Sequence, residues 1–112
     1  MGTCFPAINT GCPTQYIVTR QDLPRGFLAA QVAHAAGRYG KHPPETHVVV
    51  LAVANEIELR KTAERLLEAG VGYLPIHEPD EPCSGQMTAI GCALVNDRQP
   101  VRKVVSSIPL LR

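Results

Sequence analysis

The sequence predicts an α/β domain, a three-layer α/β/α sandwich built on a mixed four-stranded sheet. Strand-like and helix-like segments follow one another in the order β-α-β-α-β-β-α, which favours helices packed on a sheet. Residues 47–53 are continuously apolar, which is typical of a strand covered on both faces. Residues 27–39 are rich in alanine, a strong helix former whose small side chain allows close packing against a sheet.

Length and composition favour one domain with a single core. The chain has 112 residues, of which 45% are hydrophobic and 19% are charged, with a net charge of +1. We assign residues 1–13 to an irregular arm and residues 14–112 to the domain. No apolar stretch of membrane-spanning length and no secretory signal is recognisable, so we expect a cytoplasmic protein without membrane contacts.

The first half of the domain is predicted to fold as strand, helix, strand. Residues 16–19 have the β-branched and aromatic content of a buried strand, and Pro24 and Gly26 separate this strand from the next segment. The alanine-rich helix then extends over residues 27–39, and residues 47–53 form the second strand.

The second helix has a clear start signal. Asn55 is a favourable N-cap, and Glu58 lies three residues later in the capping-box position. We expect this helix to extend to about Glu68. Its solvated face carries three charge pairs at helical spacing, namely Glu56–Arg60, Lys61–Glu64 and Arg65–Glu68.

The last third of the chain adds two strands and a short helix. Residues 73–77 form a short strand, in which Pro75 indicates a sheet edge or a bulge. Residues 87–95 form the fourth strand, and a short helix is expected over residues 100–106. The apolar residues 108–111 are expected to pack the tail back onto the core.

Charge is distributed unevenly along the chain. Residues 1–44 carry four basic residues against one acidic residue, and residues 86–112 have the same ratio. Residues 45–85 carry three basic and eight acidic residues. The two ends would together form a basic face if they meet in the fold, which permits nucleic-acid binding.

The cysteines are expected to be free thiols. A cytosolic chain with a sufficient core needs no disulfides, and no Cys-x-x-Cys pair or zinc-type Cys/His spacing is present. We therefore predict neither a metal nor a cofactor. The four cysteines are Cys4, Cys12, Cys83 and Cys92.

Several polar side chains are predicted to converge at one end of the sheet. Gln31 and His34 lie three residues apart on the alanine-rich helix and therefore share a face. Asp22 follows the first strand at its carboxyl end, where open α/β sheets usually bind ligands. The other candidates come from the loop after the third strand and from the next strand: Glu78, Asp80, Glu81 and Thr88. Together such groups can position and activate a water molecule, although each alone is as readily a cap or turn residue.

The first of these segments resembles the opening of the type II (archaeal and eukaryotic) peptidyl-tRNA hydrolases. Residues 16–23 read Tyr-Ile-Val-Thr-Arg-Gln-Asp-Leu, and residues 29–36 read Ala-Ala-Gln-Val-Ala-His-Ala-Ala. In that family a strand ending in Arg-x-Asp-Leu/Ile leads through a Gly/Lys-rich turn into an Ala-Ala-Gln-x-x-His-Ala helix. The second half is similar in outline, including a Thr-x-x-Gly strand at residues 88–91, so the resemblance covers residues 14–111.

This resemblance implies a three-layer fold, often dimeric, that hydrolyses the ester joining a peptide to the 3′ end of tRNA. It implies catalytic roles for Asp22, Gln31 and His34, and a family hydroxyl at Thr88. The predicted partners are therefore tRNA, or a related acyl-nucleotide, and a second copy of the chain.

The chain departs from the family pattern at two places. A divergent eukaryotic branch, the peptidyl-tRNA hydrolase domain-containing proteins, also departs at the first of them, the lysine turn, and the chain is similar to that branch too. Phe27 occupies the position of the second lysine of the family turn, and residues 78–80 replace an Asp-Ala-Gly-x-Thr loop. Arg25 stands where the first lysine stands. We predict that Arg25 and Arg20 hold phosphate in its place, although arginine and lysine are not interchangeable.

These residues are compatible with two functions of different classes. The first is hydrolysis of peptidyl-tRNA or a related ester, in which His34 or an acid of the loop, with Asp80 as the candidate, acts as general base. Gln31 or Thr88 would orient the water or the carbonyl. The alternative is a non-hydrolytic ligand- or partner-binding member of the same fold, because Phe27 replaces the lysine. A thiol or metal protein built on the four cysteines is a third hypothesis.

Overall fold

The computed structural model describes residues 13–39 and 42–112, in which the elements follow the predicted order. Most of the predicted arm, with Cys4 and Cys12, lies outside the described residues. The predicted α/β class with a mixed four-stranded sheet is confirmed. The elements are β1 Thr14–Arg20, α1 Arg25–Gly37, β2 His47–Val53, α2 Glu56–Glu68, β3 Tyr73–His77, β4 Met87–Cys92 and α3 Gln99–Val105.

The sheet has the strand order β2-β1-β4-β3. β1 and β2 are parallel, whereas β4 is antiparallel to both of its neighbours, β1 and β3. β1, β2 and β3 therefore end at the same edge of the sheet, and β4 begins there. We call this edge the site end, because the loops at 21–24 and 78–86 both lie on it.

β2 packs on both faces as predicted, with Leu51 in the α2-side core group and Val50 against the α1-side group. β2 has the predicted bounds but lies at the edge of the sheet, and Val48 is 45% exposed. The strands that are buried along their whole length are the two central ones, β1 and β4. The tail covers part of the β2 edge, since Leu111 N donates to Val50 O at 3.0 Å and Ala52 N donates to Pro109 O at 3.0 Å.

Two groups of buried apolar side chains lie on opposite faces of β1. Ile17 packs with Ala35 of α1, whereas Val18 packs with Leu59 and Leu66 of α2 and with Val101 of α3. Neighbouring residues of a strand point to opposite faces, so α1 covers one face of the sheet and α2 and α3 cover the other. These side chains are almost completely buried, and each of the Ile, Val and Leu side chains contributes about 1.5–3 kcal/mol of folding free energy.

α1 lies very close to β4, as its alanine content predicts. A methyl group added at Gly91 would lie 2.5 Å from the carbonyl oxygen of Ala35, so only glycine fits there. The helix begins at Arg25, two residues before the predicted start, since Pro24 occupies the N-cap position.

α2 begins as predicted. Glu58 N donates to Asn55 Oδ1 at 3.1 Å, and Glu56 pairs with Arg60 at 3.0 Å. Lys61 pairs with Glu58 at 3.6 Å, which lies on the preceding turn, rather than with the predicted Glu64.

The end of the chain departs from the prediction in one respect. β4 stops at Cys92 rather than Val95, and Val95 forms only an isolated bridge with Thr14. Cys83 and Cys92 are free thiols as predicted, and burial raises the pKa of Cys92 to about 12. Within residues 13–39 and 42–112, no helix combines the length and apolar character that a membrane crossing requires.

Candidate functional site

A bidentate ion pair occupies the α2 side of the site end. Arg20 is 6% exposed, and its Nε and Nη2 donate to Asp22 Oδ1 and Oδ2 at 2.8 and 2.9 Å. The hydrogen bonds with Asp22 raise the pKa of Arg20, and the same bonds lower the pKa of the Asp22 carboxyl. The pair is therefore ionised at neutral pH, and both carboxylate oxygens are occupied by one guanidinium.

The same guanidinium reaches the start of β4. Arg20 Nη1 donates to Gln86 Oε1 at 2.8 Å and to Met87 O at 3.2 Å. From the other side, Glu56 Oε2 accepts a hydrogen bond from Met87 N at 2.8 Å, and this bond lowers the pKa of Glu56. We call Arg20, Asp22, Glu56, Gln86 and the Met87 backbone the Arg20 cluster.

A β-bulge at the start of β4 decides where Thr88 points. Ile76 is paired with Ala89 and the next residue, His77, with Met87, so Thr88 is an extra residue in β4. A bulge shifts the alternation of side chains by one position. Thr88 therefore faces α1 together with Ala89, while Met87 joins the core on the α2 side.

Thr88 starts a chain of three polar side chains on the α1 side. Thr88 Oγ1 donates to Gln31 Oε1 at 2.7 Å, and Gln31 Nε2 faces Glu78 Oε1 at 3.4 Å. Thr88 is fully buried and Gln31 is 2% exposed, whereas Glu78 is half-buried. We call these residues the Gln31 chain.

The direction of this chain follows from its carboxylate. A carboxylate oxygen accepts hydrogen bonds, so the NH₂ group of Gln31 faces Glu78 and the amide oxygen faces Thr88. The Thr88 hydroxyl has two acceptors in reach, Gln31 Oε1 at 2.7 Å and Ile76 O at 3.3 Å, and the shorter contact is the one to Gln31. Glu78 keeps free acceptor positions toward solvent. Backbone hydrogen bonds also hold Glu78, from Glu78 N to Gln86 O at 3.0 Å and from Gly85 N to Glu78 O at 2.7 Å.

The two assemblies lie on opposite faces of the sheet. Arg20 belongs to the α2 side, and Thr19, the preceding residue of β1, donates its hydroxyl proton to Thr88 O at 2.9 Å. Asp22 and Gln31, which the sequence places in one site, are therefore in separate networks. The backbone pairing of Glu78 with Gln86 connects the two.

The remaining predicted site residues lie apart from these networks. His34 is exposed, one turn beyond the buried Gln31, and Asp80 is exposed in the loop after β3. Arg25 is exposed at the start of α1, and it lines a groove of about 420 Å³ toward β2 with Leu28, Val50 and Arg112. The described lining of that groove includes no residue of the Gln31 chain.

Two residues of the networks, Glu56 and Gln86, were missing from the predicted site, whereas Glu78 was one of three acidic candidates in its loop. Glu78 lies in the predicted acidic loop, but nothing in that loop distinguishes its carboxylate from those of Asp80 and Glu81. Glu56 has the pattern of a solvated helix residue, and Gln86 lies between a loop and a strand. Contacts at the start of β4 give Glu56 and Gln86 their role. The described residues contain no group of three His, Cys, Asp or Glu side chains arranged to hold a metal.

Comparison with known proteins identifies a fold relative. No protein-family model matches the chain, and no curated protein does. Among solved structures, the chain is similar to the protein of unknown function Atu0240 from Agrobacterium tumefaciens strain C58, with a TM-score of 0.59 and 18% sequence identity. The similarity covers 89% of this chain and 98% of that chain, so it shows a shared fold and leaves the function open.

Proposed function

We propose that this protein is an ester hydrolase of the peptidyl-tRNA hydrolase II type, with the corresponding three-layer α/β/α fold. The core groups on the two faces of β1 support the three layers. The observation that carries the activity is the Gln31 chain, because it holds a half-buried carboxylate at the carboxyl ends of the parallel strands. The motif residues Gln31 and Thr88 are in direct contact in this chain.

Glu78 is the general base in this proposal. Gln31 fixes one carboxylate oxygen, and Thr88 fixes Gln31, so the carboxylate is held in one orientation without losing all its acceptor positions. Such a group can accept a proton from a water molecule as that water attacks a carbonyl carbon. His34 and Asp80, the bases predicted from sequence, are exposed and belong to no described polar chain.

The reaction consists of two balanced steps. A water oxygen bonds to the ester carbonyl carbon while Glu78 takes one water proton, and the carbonyl oxygen becomes an oxyanion. The tetrahedral intermediate then collapses, the bond to the ribose 3′-oxygen breaks, and that oxygen takes the proton from Glu78. The products are a free carboxylic acid and a tRNA or nucleotide with a 3′-hydroxyl group.

Arg25 is the proposed phosphate contact. Arg20 was predicted to share that role, but four of its N–H groups are directed to Asp22, Gln86 and Met87. We therefore assign Arg20 to support of the site. The proposal also includes a homodimer, which rests on the family resemblance, and the cytoplasmic location expected from the sequence.

Single-turnover hydrolysis of an N-acetylated aminoacyl-tRNA tests the activity. We expect turnover by the native protein and a loss of about 10²–10⁴ in rate for Glu78→Gln. Glu81→Gln, which removes an exposed carboxylate from the same loop, is the matched control and is expected to retain the native rate. Full activity of Glu78→Gln would remove Glu78 as the base, and no turnover by folded native protein would reject the hydrolase.

A specific observation favours the non-hydrolytic alternative. Phe27 is half-buried at the family lysine position, and Arg25 lines a groove separate from the Gln31 chain. In that case the protein binds a ligand without cleaving it. The affinity for tRNA, measured at several salt concentrations, separates the two proposals. An affinity that falls steeply as salt rises indicates phosphate contacts and favours the hydrolase. No binding even at low salt favours the alternative. Sedimentation of the same samples gives the molar mass and so tests whether the protein is a homodimer.

A further inference from the structure

Three side chains replace the sheet ladder at the start of β4. The pairing of β1 with β4 ends at Thr19 and Ala89, so Met87 and Thr88, the first two residues of β4, lie outside this ladder. Beyond that point Thr88 O accepts from Thr19 Oγ1 at 2.9 Å, and Met87 O accepts from Arg20 Nη1 at 3.2 Å. Met87 N donates to Glu56 Oε2 at 2.8 Å. Side chains from β1 and α2 thus satisfy backbone groups that a regular ladder would otherwise pair.

This arrangement determines which side chain faces α1. In regular alternation, Met87 would share the α1 side with Ala89, and Thr88 would lie in the core on the α2 side. The bulge exchanges the sides to which Met87 and Thr88 point. It is stable only if the backbone N–H and C=O groups that no longer pair with the neighbouring strand find other hydrogen-bond partners. Arg20 and Glu56 supply those partners for Met87 from two different elements.

We propose that Arg20 and Glu56 are positioning residues that hold the Met87 peptide groups in the bulged register and thereby aim Thr88 at Gln31. Neither residue touches the reacting groups. Both act through the backbone of Met87, the residue next to Thr88. The consequence for catalysis rests on the proposed hydrolase function, whereas the consequence for geometry does not.

Two variants of Glu56 distinguish the length of its side chain from its negative charge. Glu56→Asp keeps the carboxylate at the start of α2 but shortens the side chain by one methylene, so it cannot span the 2.8 Å contact from the same backbone position. Glu56→Gln removes the charge but keeps an oxygen at the same reach. Glu58→Ala is the matched control, because Glu58 is an exposed carboxylate of the same helical turn that pairs only with Lys61.

The readout is the NMR signals of the Gln31 side-chain amide and the Thr88 methyl group. We expect Glu56→Asp to shift both signals and to speed hydrogen exchange of the Met87 amide, and Glu56→Gln to resemble the native protein. Unchanged signals in Glu56→Asp, or equal shifts in Glu58→Ala, would overturn the proposal. Glu56→Asp keeps the favourable charge at the helix N-terminus, so folding is preserved.

Hydrolysis provides the second readout on the same variants. If the hydrolase proposal holds, Glu56→Asp lowers kcat roughly ten- to hundred-fold with little change in KM, and Glu56→Gln restores it. Shifted signals in a protein without any hydrolysis would retain the positioning role and reject the hydrolase. Native kcat in a variant whose Gln31 and Thr88 signals are displaced would reject the catalytic consequence of the positioning role.

Discussion

The two sides of the site end use polar groups in opposite ways. In the Arg20 cluster four of the five donors of a guanidinium are directed to Asp22, Gln86 and Met87, and each oxygen of Asp22 accepts one of them. In the Gln31 chain two neutral side chains hold one carboxylate, Glu78, which keeps acceptor positions free. The ion pair lowers the pKa of the Asp22 carboxyl and so disfavours proton uptake there, whereas Glu78 is held by a neutral amide. We infer that the first supports the second.

The largest expected effect comes from the contact that brings α1 to the sheet. Gly91→Ala places a methyl group 2.5 Å from Ala35 O, and this overpacking against backbone should lower the free energy of unfolding by about 3 kcal/mol. The matched control is Gly37→Ala on the helix that carries Ala35, where an added methyl group meets nothing within 4 Å. That control should gain about 0.5–1 kcal/mol from reduced backbone entropy. Urea unfolding measures both, and equal stability of the two variants would contradict the close approach.

The buried hydroxyl of Thr88 should contribute more than that of another buried threonine. Thr88→Val leaves Gln31 Oε1 buried without its donor, which should cost about 1–3 kcal/mol. Thr62→Val is the control, because Thr62 Oγ1 donates to Glu58 O, a carbonyl within α2. We expect a smaller loss there. Equal losses in denaturant unfolding would mean that the Gln31 chain contributes nothing specific.

The smallest effect should appear in the pH dependence of stability. Arg20 lowers the pKa of Asp22 in the folded state, so the pair contributes stability that is present above the unfolded pKa and is lost as pH falls through the folded one. Between about pH 5 and 2, the stability of Asp22→Asn should therefore fall less than that of the native protein. Thermal unfolding across this range measures the difference, with Glu81→Gln as a control that leaves Arg20 untouched. Parallel curves for Asp22→Asn and the native protein would contradict the ion pair.

Local signals in the sequence were sufficient for most of the fold. The bounds of β2 and the Asn55 cap of α2 follow from residues that are adjacent in the chain. The edge position of β2 does not, because its apolar run looks the same whether one or two strands flank it. Strand order depends on contacts between distant segments, which no short pattern encodes.

The candidate site shows the same limit at the level of single residues. Gln31 was predictable from its helical position, and its partner Thr88 from the family resemblance. The bulge was not predictable, because Met-Thr-Ala-Ile is an ordinary strand sequence that carries no mark of an extra residue. Without the bulge, the role of Glu56 cannot be deduced.

The most direct test of this division compares one residue from each side in single-turnover hydrolysis of N-acetylated aminoacyl-tRNA. Gln31→Ala removes the group that holds Glu78, and Asp22→Asn weakens the supporting ion pair while keeping its shape. We predict that Gln31→Ala loses about 10²-fold or more in rate and that Asp22→Asn stays within about ten-fold of the native protein. Loss of activity in Asp22→Asn with a native rate in Gln31→Ala would place the reactive centre on the α2 side and contradict the account.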